Sequence, residues 1–186
     1  MPATAAARAE LNGADGASAR APYEPFAFRL AGREDDPDIR RLLRTHAMPG
    51  AIAVSLQREP DASLAASIEG DVHETVIARS RSNGELSGMA ARSVRMVYVN
   101  GEAVRLGSLG QLRVASGRHA LRTLIDEGFS FCRMRHQQDG APAYLVSLVA
   151  DNSAARRLLV ERRSPTAPRL VSIGGLPEKG DVAPEN

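Results

Sequence analysis

The sequence predicts an α/β (α+β) fold, a mixed and mostly antiparallel central sheet with helices on both faces. Three observations carry this. Two Asn-Gly pairs, Asn83-Gly84 and Asn100-Gly101, separate stretches rich in β-branched and apolar residues, which is a strong hairpin signal. Leu121, Leu124, Ile125, Gly128, Phe129 and Cys132 recur at helical spacing and mark one long amphipathic helix. A further apolar run, Ala143 to Ala150, follows that helix, so a strand–helix–strand crossover sets two strands parallel, with right-handed connection expected.

Taken in order, residues 1 to about 22 are rich in Ala, Gly and Asp and read as a disordered leader. One domain is expected over 23–176, and 177–186 reads as a flexible tail. Phe26, Phe28 and Leu30 alternate with Ala27 and Arg29 as a strand does. Asp36-Pro37 opens a helix, with Asp36 as cap and Pro37 in the first turn; Ile39, Leu42, Leu43 and His46 share one face, and Pro49-Gly50 ends it. Ala51 to Leu56 is a short strand candidate, and Asp61 to Ile68 a second helix stopped by Gly70. Strands are expected over Glu74 to Arg79, Leu86 to Val99 and Ala103 to Val114. Gln137 to Pro142 forms the exit from the long helix. After the next strand, Asn152 or Ser153 caps a short helix with Ala155, Leu158 and Leu159 inward, and Arg169 to Ile173 is a candidate last strand.

Composition narrows the function classes. Net charge is only +2, without the dense basic stripe of a nucleic-acid binder. Lys179, near the C-terminus, is the sole lysine among 24 basic residues, so a core Schiff-base lysine and a Walker-type phosphate lysine are excluded. No apolar run approaches the roughly 18 residues needed to cross a bilayer, and no secretory signal pattern opens the chain. Cys132 is the single cysteine, which precludes an internal disulfide and fits a reducing cytoplasm. No His, Cys and acidic residues show metal-ligand spacing, so no metal is expected.

The chemistry concentrates between Ala103 and Leu159. A strand ending Leu112-Arg113-Val114 hands the chain through Ala115-Ser116-Gly117-Arg118-His119 into the long helix. Gly117 allows close backbone approach, the N–H groups of residues 118 to 120 face one point, and Arg118 adds a cation; together they suit a phosphate. The same residues equally form an ordinary solvated strand-to-helix loop. Glu74, beside His73 at the start of a strand, and Glu102, in a turn, are candidate bases; as solvated residues they need no function. Asn152 is a further candidate catalytic group and, on the plainer reading, a helix cap; it can be both, since a cap at that end of the strand still points into the cleft. Tyr144 reads as packing, and Cys132 as a buried small hydrophobe.

From about Phe26 to Ile173 this order of elements resembles the Gcn5-related N-acetyltransferase (GNAT) superfamily. Phe28-Arg29-Leu30 with the following Asp-rich helix start looks like the family's first strand and helix. Leu112-Arg113-Val114 looks like the end of its fourth strand, Ala115 to Ala120 occupies the place of its pyrophosphate loop, and Asn152-Ser153-Ala154-Ala155 is similar to its Asn-x-x-Ala segment. The resemblance implies an acyl-CoA-dependent N-acyltransferase, acetyl by default, with acetyl-CoA as co-substrate. It implies cofactor contacts from Leu112, Arg113, Val114, Gly117, Arg118, His119, Ala120, Asn152 and Ala155. It also implies a small-molecule or peptide amine as acceptor, with Pro49 to Ile68 lining its pocket, no nucleic-acid or membrane partner, and a monomer or homodimer. Two positions depart from the family pattern: only Gly117 is glycine in the loop, and Leu159 stands where many members place a tyrosine acid. The alternative is a GNAT-fold ligand-binding or interaction module without turnover.

Overall fold

A computed structural model describes residues 25–48, 55–115, 118–139, 141–149, 152–161, 168–171 and 173–174. Its sheet has five strands in the order β1 (Phe26–Leu30), β2 (Val72–Ser80), β3 (Leu86–Val99), β4 (Glu102–Val114) and β5 (Tyr144–Val146). The first four are antiparallel to their neighbours, and β5 runs parallel to β4. The expected leader and tail, the Pro49-Gly50 breaker and Ser116-Gly117 lie outside the described residues.

The hairpins form where turn chemistry demands them. Asn100 and Gly101 adopt φ of 52° and 85°, the left-handed pair that joins β3 tightly to β4. Gly84 sits at φ 73° in the β2–β3 turn, and its N–H donates to the Ser80 carbonyl at 2.8 Å.

Strand alternation sends successive side chains of β2 to opposite faces, and each face has its own core. Ile77, with Leu86 and Met89, packs against Ile39, Leu42 and Leu43 of α1 (Asp36–Thr45). Ala78, with Phe26 and Phe28, packs against Leu124 and Ile125 of α3 (Arg118–Asp139), joined by Leu112, Val114 and Leu158. The helices therefore cover both sides of the sheet, as expected. Two short helices complete the set: α2 (Ala66–Glu69), entered through a 3-10 turn that Asp61 caps by accepting from Ser63 N–H, and α4 (Ser153–Arg156), which continues as a π-helical turn over Arg157–Glu161.

Several expectations need correction. The cap of α1 is Asp35, not Asp36: a 3-10 turn over Arg33–Asp35 precedes the helix, and Asp35 is drawn inward by Arg29 and Arg79. Gln137 to Asp139 continue α3 and are not part of its exit. Of the strand expected over Ala143 to Ala150, only Tyr144–Val146 pairs with β4 among the described residues; beyond Val146 the two backbones are no longer hydrogen-bonded as a ladder. Ser55 and Leu56 carry no strand, and neither do Arg169, Leu170, Val171 or Ile173; the rest of those two stretches lies outside the described residues.

Candidate functional site

The site arises from a change of register within β4. Met89 of β3 pairs with Arg113, but Ala91 pairs with Gly110, so Gln111 and Leu112 together face the single residue Ala90. This is a β-bulge, and Gln111 takes a left-handed φ of 54° to make it. On the other edge, β4 pairs with β5 only at Gly107–Leu109. Beyond Leu109 the two strands part, and the backbone of Gly110 to Val114 has no strand on that side among the described residues. A bulge on one edge and a lost neighbour on the other free backbone groups toward the gap.

The gap is a cleft of about 170 Å³. Gly110, Gln111, Leu112 and Arg113 form one wall, Val146 to Val149 the other, and Leu124, Gly128 and Phe129 of α3 the floor; Asn152, Ala155 and Leu159 close one end. Asn152 is the cap of α4, its Oδ1 accepting from Ala155 N–H at 3.0 Å. Of the residues expected to hold a cofactor, the structure thus brings Leu112, Arg113, Asn152 and Ala155 around one cleft. Val114 packs toward α3 instead. Gly117 is outside the described residues; Arg118, His119 and Ala120 form the first turn of α3.

The candidate bases lie elsewhere. Glu102 is exposed at the far end of the β3–β4 hairpin. Glu74 is nearly buried as a counter-ion: its Oε2 accepts from Arg92 at 2.9 Å, and its Oε1 accepts from Arg135 Nε at 3.1 Å and also from Arg135 Nη2. Arg92 is fully buried; its Nε donates to Tyr144 Oη at 2.9 Å, and its guanidinium lies 5.5 Å from the Tyr144 ring centroid. Tyr144, read from sequence as packing, is therefore also a polar partner, and His136 meets its ring edge-on. This cluster borders a second hollow of about 400 Å³ that Arg133 and Arg169 also line. Cys132 lies between the two spaces, and burial pushes its thiol above the ordinary range, which suits an inert side chain.

Sequence reasoning missed three features: the bulge at Gln111, the Glu74–Arg92–Tyr144 network, and the burial of Arg113. Arg113 is only 5% exposed and borders the cleft; its Nη1 donates to the Leu112 carbonyl at 2.9 Å, while its buried Nε has no partner. Burial lowers its pKa below the usual arginine value. The residues flanking Arg113 give no sequence signal of its burial, whereas Glu74 opposite Arg92 does follow once the β2–β3 register is known. Among the described residues no helix is long and apolar enough to cross a membrane, and no group of His, Cys, Asp and Glu is placed to hold a metal.

The five-stranded mixed sheet with helices on both faces matches the fold of solved GNAT-type acetyltransferases. Solved structures bear this out. The chain is similar to glucosamine-6-phosphate N-acetyltransferase from Arabidopsis thaliana (TM-score 0.51, 12% identity, covering 79% of this chain and 99% of that one). It is similar to aminoglycoside antibiotic 6'-N-acetyltransferase from Acinetobacter baumannii (TM-score 0.50, 14% identity, covering 82% and 99%). It is also similar to a transcriptional regulator from Bacillus halodurans (TM-score 0.50, 15% identity, covering 71% and 87%). At these identities the likeness is one of fold. No protein-family model matches the chain, and no curated protein matches it in sequence.

Proposed function

We propose that the chain is an acyl-CoA-dependent N-acyltransferase, with acetyl as the default group, acting on a small-molecule or peptide amine in the cytoplasm. The observation that supports this most is the parting of β4 and β5 beside the Gln111 bulge, which opens a narrow, largely apolar cleft edged by unpaired β4 backbone. A pantetheine arm is an extended amide chain, so it can pair with such an edge as an added strand would. Leu112 and Gln111 supply backbone groups, Asn152 and Ala155 border the thioester end, and the first turn of α3 at Arg118 to Ala120 offers N–H groups to the phosphates.

The acceptor's nitrogen lone pair attacks the thioester carbonyl carbon. The carbonyl oxygen gains charge, then the carbon–sulfur bond breaks, the thiolate leaves, and the amide nitrogen gives its proton to solvent. The chain's contribution is alignment of the two reactants and an N–H donor for the oxyanion.

A second reading, a binding module without turnover, has its own support. Among the described residues lining the cleft there is no carboxylate, histidine or tyrosine to move a proton. Calorimetry with acetyl-CoA and CoA, followed by CoA-release assays on an amine panel, separates the two. At about 100 times its dissociation constant the cofactor adds roughly 2.7 kcal/mol of stability. Binding with turnover supports the first reading, binding with none supports the second, and no binding at millimolar cofactor overturns both.

A further inference from the structure

Three ionisable groups are buried outright in the described residues: Asp35, Arg92 and Arg113. The fold neutralises the first two. Asp35 accepts from Arg29 at 2.6 Å and from Arg79 at 2.7 Å, and Arg92 donates to Glu74 at 2.9 Å. Arg113 is the exception. Among the described residues it has no carboxylate partner; its Nε is unsatisfied, and its Nη1 donates to the neutral Leu112 carbonyl. A buried cation without a counter-ion is strongly unfavourable, so such a group persists where something outside the chain supplies the charge.

Its position says what that is. Arg113 pairs in register with Met89, whose side chain belongs to the core under α1, while Leu112 and Val114 pack under α3. The Arg113 side chain therefore lies on the α1 side of the sheet, opposite the helix whose first turn is assigned to the cofactor phosphates. Met48, just beyond α1, borders the same cleft. Arg113 is the only charged residue among the described residues that border this cleft.

We propose that the acceptor carries a carboxylate or phosphate which Arg113 binds, making the substrate a small anionic amine such as an amino acid. This rests on the acyltransferase reading. A planar guanidinium fork matches either anion in two parallel hydrogen bonds. The same cation disfavours protonation of a nearby amine, which keeps the nucleophile neutral. A polycationic acceptor meets the opposite situation, since the lining offers it a positive charge and no acid.

The test uses the full chain saturated with CoA and calorimetry against glycine, glutamate and phosphoethanolamine as anionic probes, with glycinamide and spermidine as the contrast. The anionic probes should bind at least about 30-fold tighter than glycinamide, the cost of leaving one partner of a buried ion pair unpaired. Glycine and glutamate against phosphoethanolamine tells carboxylate from phosphate. In Arg113→Met the preference should collapse while the melting temperature holds or rises, because an uncompensated buried charge has been removed. Arg113→Lys should keep part of the preference. Equal binding of glycine and glycinamide, tightest binding of spermidine, or an unchanged preference in Arg113→Met overturns the proposal. If Arg113→Met does not fold, the comparison within the wild-type chain decides alone. Titration of CoA itself is read separately. CoA binding without anion preference sinks this inference and spares the acyltransferase reading; anion preference without CoA binding sinks the acyltransferase reading and leaves Arg113 as an anion site.

Discussion

The Tyr144 ring occupies the space that a side chain at Gly107 would need: a Cβ built there overlaps Cδ1 and Cε1 of the ring. The two residues are also register partners in the parallel β4–β5 pair, and the Gly107 N–H donates to the Ala143 carbonyl at 3.0 Å. Close approach of ring to backbone is what brings the Tyr144 hydroxyl to Arg92. Gly107→Ala should therefore either displace the ring or push β5 off β4. We expect a loss of about 1–3 kcal/mol, the usual cost of overpacking, measured by urea denaturation, together with a narrower cleft and weaker CoA binding. An unchanged midpoint would mean that β5 is not held by this contact.

The same pair shows where sequence reading succeeds and where it stops. The Asn-Gly turns, the alternation in β1 and the helical periodicity of α3 are local signals, and each element formed where its residues required. The parallel crossover was legible because its long amphipathic helix leaves few other solutions. The length of β5 was not, since an apolar run such as Leu145 to Val149 does not reveal which of its residues keep a neighbour. Nor did the bulge at Gln111 announce itself: no glycine marks it, and it exists through pairing across two strands. Among the candidate functional residues, Asn152 as a cap was readable from residue type. Glu74 and Arg113 were not, because burial and partnership are set by distant segments.

Gln111 holds a left-handed φ of 54°, a conformation costly for a residue with a Cβ. Gln111→Gly removes that cost while keeping the bulge. We expect stability to hold or rise by up to about 1 kcal/mol, as glycine gives back some of the gain through unfolded-state entropy. Gln111→Val, which is β-branched and poorly suited to this region, should lower it and weaken CoA binding in parallel. Thermal unfolding of both variants, with and without CoA, checks this; a stable Gln111→Val with unchanged CoA affinity would show that the bulge does not shape the cleft.

Asp35 makes acid stability predictable. Burial would raise its pKa, but hydrogen bonds from Arg29, Arg79 and the Gly32 N–H outweigh burial and hold it at about 2, below the ordinary 3.8. The group therefore stabilises the fold fully above the unfolded value, and the contribution is lost as pH falls through about 2. Its size is on the order of 2 kcal/mol, discounted because Arg29 is half exposed. In Asp35→Asn, stability at pH 7 should drop by at least this amount. The part of the acid dependence between about pH 4 and pH 2 should flatten. Denaturation midpoints taken across that range for both proteins provide the comparison, and parallel curves would exclude Asp35 as the source.

Glu74 offers a choice between two roles that one variant resolves. As the counter-ion of Arg92 and Arg135 it holds β2, β3 and α3 together around a fully buried cation. Glu74→Gln keeps the shape and removes the charge, so Arg92 loses this ion pair while its hydrogen bond to Tyr144 Oη remains. Breaking a buried pair by removing one partner costs about 3–5 kcal/mol, so a large fall in the urea midpoint is expected. Tyr144→Phe should cost less, about 1–2 kcal/mol, since it removes one hydrogen bond from a charged donor and leaves the ring over the guanidinium. The two effects should be less than additive, because both partners serve the same cation. If Glu74 is structural in this way, CoA-release rates in Glu74→Gln, measured well below its unfolding transition, keep the wild-type pH profile. A large fall in the CoA-release rate with little change in stability would instead make Glu74 the base.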